Sequence, residues 1–161
     1  MKENNNRKYK KLGWLLLITY MIILFYLLFF SEAFNRDLLL DNYQYNLEPF
    51  KEIRLFFDYR EQLGMKSFLI NIFGNILAFA PFGFLLPHLL KRYHRFFPMV
   101  FLSMFFSLAI ELTQMLTKVG RFDVDDIILN TLGGILGYMI YAICRGINYL
   151  LQPKKKDRKQ K

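Results

Sequence analysis

Cysteine and histidine are scarce in this chain of 161 residues, which has one cysteine and two histidines. The single thiol, Cys144, excludes an intrachain disulfide. The histidines, His88 and His94, fall in or beside one short basic connection, where a solvated or headgroup-facing ring is expected. Thiol and imidazole groups therefore offer no convincing metal site.

Charge is absent or nearly absent from four long stretches of the sequence. These stretches run from Lys11 to Glu32, from Lys66 to Lys91, from Arg95 to Lys118 with Glu111 as the one interruption, and from Asp126 to Arg145. Each exceeds the roughly 18 apolar residues that cross a hydrocarbon core about 30 Å thick. The pattern predicts an all-α polytopic membrane protein: a single membrane domain over residues 1–161, built as a four-transmembrane-helix bundle. The spans are expected near residues 12–30, 68–86, 97–117 and 127–144, with a loop segment between helices one and two.

The two ends of the chain have features that need separate interpretation. The first span could be a cleaved signal peptide, since Ser31-Glu32-Ala33 offers small residues at a suitable spacing, but its apolar run is longer than usual and favours an uncleaved anchor. The lysine-rich residues 153–161 are expected to form a disordered basic tail.

Basic and acidic residues separate along the chain. The basic residues cluster before the first span, between spans two and three, and after the fourth, whereas ten of the 13 acids fall in segments 31–67 and 118–126. The positive-inside rule predicts a multi-pass protein of the bacterial cytoplasmic (plasma) membrane with both termini cytoplasmic and the acidic segments outside. The net charge of +9 is thus mainly a topology signal, and no nucleic-acid partner is expected.

Polar residues share one face on each of the last three spans when a helix advances 100° per residue. These faces and the outer segment that joins the last two spans supply the candidate residues for a pocket or ligand-binding site. The candidates are Asn71, Asn75, Glu111, Gln114, Arg121, Asp123, Asp126 and Asn130. Because unpaired polar groups are costly in hydrocarbon, the three faces are expected to converge on a polar pocket open to the outer leaflet. Asp125 joins Arg121, Asp123 and Asp126 at its rim.

Structural roles compete with ligand binding for each of these residues. Asn71 and Asn75 could bridge helices, and Glu111 could be a structural acid met by a nearby cation or kept protonated. The acids of segment 123–126 could cap a helix N-terminus, although three acids exceed what one cap needs. Helix packing is predicted for Gly74, Pro81, Gly83, Gly133, Gly134 and Gly137, with Pro81 expected to kink the second span.

Several of these motifs resemble the VanZ-like family of bacterial membrane proteins. They are the run from Asn71 to Pro87, Glu111-Leu-Thr-Gln114, the run from Arg121 to Tyr138 and Asn46-Leu-Glu-Pro-Phe50 in the loop segment. They follow the family's order and spacing over most of residues 46–138. The resemblance implies a small helical membrane protein, and the family's founding member is associated with low-level resistance to the lipoglycopeptide teicoplanin. It implies no particular reaction.

Three functions remain open at this point. The preferred hypothesis is a non-enzymatic cell-envelope protein that binds an outer-leaflet amphiphile, either a lipid-linked cell-wall intermediate or a lipoglycopeptide. The alternatives are an extracytoplasmic metal-assisted enzyme acting on a lipid-linked substrate, with Glu111 as acid or base, and a transporter or flippase. No cofactor is expected, although Asp123 and Asp126 are possible ligands of a divalent cation.

Overall fold

The computed structural model describes residues 2–30, 43–63 and 65–151. Four long helices account for most of this length: α1 (Lys2–Phe30), α4 (Met65–Leu89), α5 (Phe96–Leu116) and α6 (Val124–Leu151). Each contains a segment long and apolar enough to cross a membrane, namely Arg7–Phe30, Phe68–Leu89, Phe96–Leu116 and Val124–Leu151. The protein is therefore an all-α polytopic membrane protein, and the residues that the structure describes contain four candidate spans, as the sequence predicts.

Short elements fill the connections between the spans. Between α1 and α4 lie strand β1 (Tyr45–Asn46) and helices α2 (Lys51–Asp58) and α3 (Arg60–Leu63). A 3-10 turn (Lys91–Tyr93) joins α4 to α5, and strand β2 (Phe122–Asp123) precedes α6. We call the end of the bundle that carries segment 43–63 and residues 117–123 the loop end, and the opposite end, which carries residues 90–95, the basic end.

Two helices extend well beyond the predicted spans. Helix α1 starts at Lys2, ten residues earlier than predicted, and α6 starts three residues earlier than predicted and runs to Leu151. Absence of charge sets the predicted boundary, whereas the helix itself continues through Arg145. Helix α4 also continues through Pro81 and Pro87 without interruption. The predicted tail at residues 153–161, the signal-peptide cleavage site and residues 31–42 of the loop segment lie outside the described residues.

Helices α4 and α6 pack closely because glycines line their contact. An added Cβ at Gly83, Gly133 or Gly137 would overlap a backbone carbonyl oxygen of the opposite helix. At Gly134 it would overlap the Ser103 hydroxyl of α5, so this glycine allows a second helix to approach. Gly74 differs from the packing role predicted for it. Its Cβ would meet only Ile70 of its own helix, at an ordinary 3.9 Å.

Helix α1 packs against α4 through apolar residues that recur along one face of α1. Leu17 belongs to a cluster with Phe82, Leu86, Leu89 and Met99. Leu24 and Leu28 belong to a second cluster, with Phe79 and Ile110. The Tyr20 hydroxyl donates to the Ala78 carbonyl at 2.7 Å, which satisfies a polar group that would be costly to leave unpaired in an apolar interior.

Candidate functional site

The two connections at the loop end form a short parallel ladder. Tyr45 pairs with Phe122 and Asn46 with Asp123, and the Phe122 amide donates to the Gln44 carbonyl at 3.0 Å. The Asn46 side-chain amide also donates to Asp123 Oδ1 at 3.1 Å. The segment before α2 is thereby fixed against the residues that start α6.

Asp123 is the N-cap of α6 and also binds α5. Its Oδ1 accepts the Asp125 backbone N–H at 2.9 Å, which satisfies one of the free donors in the first turn of a helix. Its own N–H donates to Glu111 Oε2 at 3.0 Å. Glu111 and Asp123 are only 2% and 3% exposed, so this contact holds the start of α6 against α5 away from solvent.

Asp125 caps a different helix, α2. Its carboxylate accepts the backbone N–H of Phe50 at 2.5 Å, of Glu52 at 2.8 Å and of Ile53 at 3.1 Å. Phe50 has a left-handed backbone (φ 66°), a conformation that bulky residues rarely adopt. A carboxylate at a helix N-terminus is favoured by the helix dipole, and this one also holds Phe50 in its unusual conformation.

Asp126 and Asn130 connect α6 to both of its neighbours. The Asn75 side-chain amide of α4 donates to Asp126 Oδ1 at 2.5 Å. One turn further along, the Asn130 amide donates to Ser107 Oγ of α5 at 2.9 Å, while its carbonyl oxygen Oδ1 is buried without a hydrogen-bond partner. The polar faces of α4, α5 and α6 therefore meet at the loop end of the bundle.

Gln114 ties α5 to the end of α1. Its side-chain amide donates to the Leu28 carbonyl at 2.9 Å, one of the last carbonyls of α1 that has no partner within the helix. The Gln114 backbone carbonyl accepts the N–H groups of Val119 and Gly120. These bonds close the end of α5, where Lys118 adopts a left-handed backbone conformation. The geometry gives Gln114 a structural role.

Five of the predicted pocket residues thus belong to an enclosed hydrogen-bond network, namely Asn75, Glu111, Asp123, Asp126 and Asn130. Exposure is 5% or less for Asn75, Glu111, Gln114, Asp123 and Asn130. Asp126 and Asn71 are half-buried, and Arg121 is exposed. Asp125, which the sequence places only at the rim, is 1% exposed and anchors a second helix.

An open cleft of about 430 Å³ lies beside this network at the loop end. It is lined by Tyr43, Gln44, Tyr45, Asn46, Lys51, Glu52 and Arg121. Arg121 is the only member of the predicted set that lines it. The other lining residues come from segment 43–52, whose position depends on β1 and on the Asp125 cap. Helical periodicity carries no information about these contacts, and the one sequence signal near them is the Asn46–Phe50 motif.

Arg121, with Lys51, is one of the two cations that line this cleft. Its guanidinium forms an ion pair with the Glu52 carboxylate and lies 3.6 Å from Asp123 Oδ2. The Lys118 ammonium lies 5.4 Å from the centre of the Tyr43 ring, within cation–π distance. A guanidinium, a carboxylate, amides and tyrosines therefore surround one open volume.

Burial raises the pKa of two carboxyls near the cleft. For Glu52 burial is the main cause, opposed by Arg121 and reinforced by the charges of Asp123 and Asp125. For Asp123 burial is again the main cause, opposed by hydrogen bonds from the Asp125 backbone and Asn46 and by the charge of Arg121. These two carboxyls therefore hold their protons more tightly than they would in water.

The part of the chain that the structure describes contains no group of three or more His, Cys, Asp or Glu side chains arranged to hold a metal ion. The two carboxylates predicted as possible metal ligands face different partners. Asp123 Oδ1 accepts from Asn46 and the Asp125 backbone, whereas Asp126 Oδ1 accepts from Asn75 on α4. In this arrangement the acids hold chain segments together.

Comparison with known proteins gives consistent matches. The model of the family described as VanZ/LLP1 matches residues 17–145. The chain is 30% identical over 145 residues to the protein named "Protein VanZ" from Enterococcus faecium, an alignment that covers 89% of this chain and 80% of that protein. No solved structure matches the chain.

Proposed function

The chain belongs to the VanZ/LLP1 family and is a multi-pass membrane protein, and on this premise we propose that it binds an amphiphile of the bacterial cell envelope without turning it over. The ligand's polar part occupies the loop-end cleft, and its lipid part lies in the adjoining leaflet. The ligand class is a lipid-linked cell-wall intermediate or a lipoglycopeptide. Sequestration of such a ligand would give the cell low-level resistance to teicoplanin.

The observation that carries this proposal is the chemistry of the cleft lining. Tyr45 and Tyr43 offer flat amphipathic rings, Gln44 offers an amide, and Arg121 offers a planar guanidinium. Amides and charged groups hydrogen-bond hydroxyls and carboxylates, while tyrosine rings cover the apolar faces of sugars and peptides. The lining therefore suits a glycosylated or peptide headgroup.

The position of the cleft supports an amphiphilic ligand. It lies where α5 ends and α6 begins, at one end of the four spans, and polar headgroups of lipids lie at the same level. The basic residues Lys91, Arg92 and Arg95 lie in the connection at the opposite end. By the positive-inside rule we propose that both termini are cytoplasmic, that the protein lies in the plasma membrane and that the cleft faces outward.

The buried network serves the cleft by holding its walls in place. Asp125 fixes the first turn of α2, which carries Lys51 and Glu52, and Asp123 fixes Asn46. A preformed site loses less conformational freedom when a ligand binds, which favours affinity. In this proposal Glu111 and Asp126 support the site without touching the ligand.

An enzyme acting on a lipid-linked substrate is the second candidate, and one observation favours it. Glu52 lines the open cleft and has a raised pKa, the property expected of a general acid. Its ion pair with Arg121 gives it an equally direct structural role. Analysis of the ligand after binding separates the two candidates.

The test measures binding of two probes, teicoplanin and a purified lipid-linked cell-wall precursor, to the full chain in lipid nanodiscs. We expect Arg121→Gln and Tyr45→Ala each to weaken binding about tenfold, because each removes a contact worth about 1.5 kcal/mol. Tyr45 is 67% exposed, so its truncation should leave the fold intact. Lys66→Gln, at an exposed position in the first turn of α4 outside the cleft, is the control for loss of a charge.

Two results would contradict the binding proposal. If the Arg121 and Tyr45 variants bound the probes as tightly as the unmodified chain, the cleft would not be the binding site. Recovery of a chemically altered precursor, with the alteration lost in Glu52→Gln, would establish the enzyme instead. Thiol labelling of Tyr45→Cys in a chain that also carries Cys144→Ser tests the orientation, because Tyr45 and Cys144 are both exposed. Labelling of this variant only from the cytoplasmic side would reverse the proposed orientation.

A further inference from the structure

A second cleft, of about 490 Å³, lies at the basic end, remote from the site described above. Residues of α4, α6 and the connection between α4 and α5 line it: Phe84, His88, His94, Tyr141, Cys144, Arg145, Asn148 and Tyr149. It depends on the last two turns of α6, which extend beyond the apolar block of the sequence. Those turns supply Arg145, Asn148 and Tyr149.

Aromatic contacts and one hydrogen bond fix the wall of this cleft. The Tyr138 hydroxyl donates to the His94 carbonyl at 2.8 Å, which ties the connection to α6. The His94 and Tyr141 rings lie 5.8 Å apart, and Phe96 packs edge-on against Tyr138 at 5.8 Å. The cleft is therefore held open by packed side chains.

The charge around this cleft is of one sign. Segments 84–95 and 138–151, which line it, contain no aspartate or glutamate, whereas they contain Lys91, Arg92, Arg95 and Arg145. Burial lowers the pKa of His94, and the charges of Arg145, Lys91 and His88 lower it further, against an opposing hydrogen bond at the Pro87 backbone. No acid of these segments neutralises the positive charge around the cleft.

The surface of α6 beside the cleft is apolar. Ile140, Ile143 and Ile147 are at least 50% exposed, and the neighbouring Leu150 is 81% exposed. Such residues on a spanning helix face acyl chains, while a tyrosine such as Tyr149 suits the level of the headgroups. A cationic cleft that opens beside a lipid-facing apolar surface matches an anionic lipid in both of its parts.

We infer that this basic-end cleft binds the phosphodiester headgroup of an anionic phospholipid. The Arg145 guanidinium pairs with the phosphate, the Asn148 amide and the His94 ring lie within the same lining, and the acyl chains follow the isoleucine face of α6. Arginine suits this role because its planar fork of donors matches two phosphate oxygens. The site is independent of the function proposed for the loop end and of the orientation of the chain.

The alternative explanation is a general attraction of basic residues to acidic membranes. A matched pair of variants distinguishes that attraction from a specific lipid site. Arg145→Gln and Arg92→Gln each remove one positive charge from the basic end, and both positions are exposed, so neither change threatens folding. Only Arg145 lines the cleft. A third variant, Arg145→Lys, keeps the charge and loses the planar fork.

The experiment counts phosphatidylglycerol molecules retained by the full chain in native mass spectra, after reconstitution in mixed phosphatidylglycerol and phosphatidylcholine. We expect Arg145→Gln to reduce retention of phosphatidylglycerol about tenfold and Arg145→Lys to reduce it severalfold, with Arg92→Gln close to the unmodified chain. Equal losses in Arg145→Gln and Arg92→Gln, or equal retention of the two lipids, would overturn the inference.

The single cysteine offers an independent readout, because Cys144 is exposed and lines the same cleft. Phosphatidylglycerol in detergent micelles should slow alkylation of Cys144 by a neutral maleimide severalfold, and Arg145→Gln should abolish that protection. Inorganic phosphate should give no protection at a concentration matched to the lipid. If inorganic phosphate protected Cys144 and the lipid did not, the ligand of this cleft would be a soluble phosphate and the lipid proposal would be wrong.

Discussion

Replacing Asp125 tests whether the loop end is organised as described. Asp125 accepts three backbone N–H groups from the first turn of α2 and is 1% exposed. Hydrogen bonds to a charged group contribute about 1.5–3 kcal/mol each, but such contributions are not additive within one network. Asp125→Ala should therefore reduce the local stability of the α2 start by about 3 kcal/mol. Asp125→Asn, which keeps one acceptor, should reduce it by about half as much.

Amide hydrogen exchange in nanodiscs measures this local effect. A loss of about 3 kcal/mol corresponds to roughly hundredfold faster exchange at Phe50, Glu52 and Ile53 in Asp125→Ala, because exchange from a locally opened state follows its free energy. Asp58→Asn, at the exposed other end of α2, is the control and should leave these amides unchanged. Unchanged exchange at residues 50–53 in Asp125→Ala would refute the capping role and the account of how the cleft is held.

Three further predictions concern the stability of the folded protein. Gly137→Ala should lower the thermal midpoint in detergent by an amount equivalent to at least about 2 kcal/mol, because the added Cβ overlaps the Ala80 carbonyl, whereas Gly146→Ala, with open space around it, should be neutral or stabilising. The thermal stability should fall as pH rises from about 4.5 toward neutrality. The reason is that the pKa of Glu52 is raised in the folded state, which therefore binds more protons than the unfolded state in that window. The difference between the thermal midpoints at about pH 5 and about pH 7 should be smaller in Glu52→Gln than in the unmodified chain. Tyr20→Phe should cost about 1 kcal/mol in the same unfolding measurement, since it removes one hydrogen bond between α1 and α4.

The spans and the meeting of their polar faces could be predicted because a membrane imposes strong rules. A helix in lipid must be apolar over its length, so uncharged blocks locate it, and its few polar groups must face protein. Asn75, Glu111 and Asn130 follow these rules, because each is buried and hydrogen-bonds a residue of another element. Gly74 illustrates their limit. Helices α4 and α6 approach along Ile76, Ala80 and Gly83, and Gly74 lies off that line.

The loop end could not be derived in the same way. Its decisive contacts join Asn46 to Asp123 across 77 residues and Phe50 to Asp125 across 75. No local periodicity encodes such pairs, and an acidic residue in the first turn of α6 looks like a cap of its own helix. Asp123 does cap α6, but Asp125 caps α2. The sequence does contain one signal, because segment 123–126 has more acids than one helix cap needs. That excess indicates that the N-terminus of a second helix lies nearby.

This division of roles among the acids determines how their variants should be interpreted. Asp125 does not line the cleft, yet it positions the turn that carries Glu52, so its loss would weaken ligand binding indirectly. Arg121 lines the cleft and contacts α2 only through the Glu52 side chain among the contacts described, so its loss would weaken binding while the backbone N–H groups of α2 stay bound to Asp125. A variant that lowers affinity and speeds exchange at α2 therefore reports on the scaffold, and one that lowers affinity alone reports on the ligand contact. Measuring both quantities on Asp125→Asn and Arg121→Gln separates the site from its support, which susceptibility of cells to teicoplanin alone cannot do.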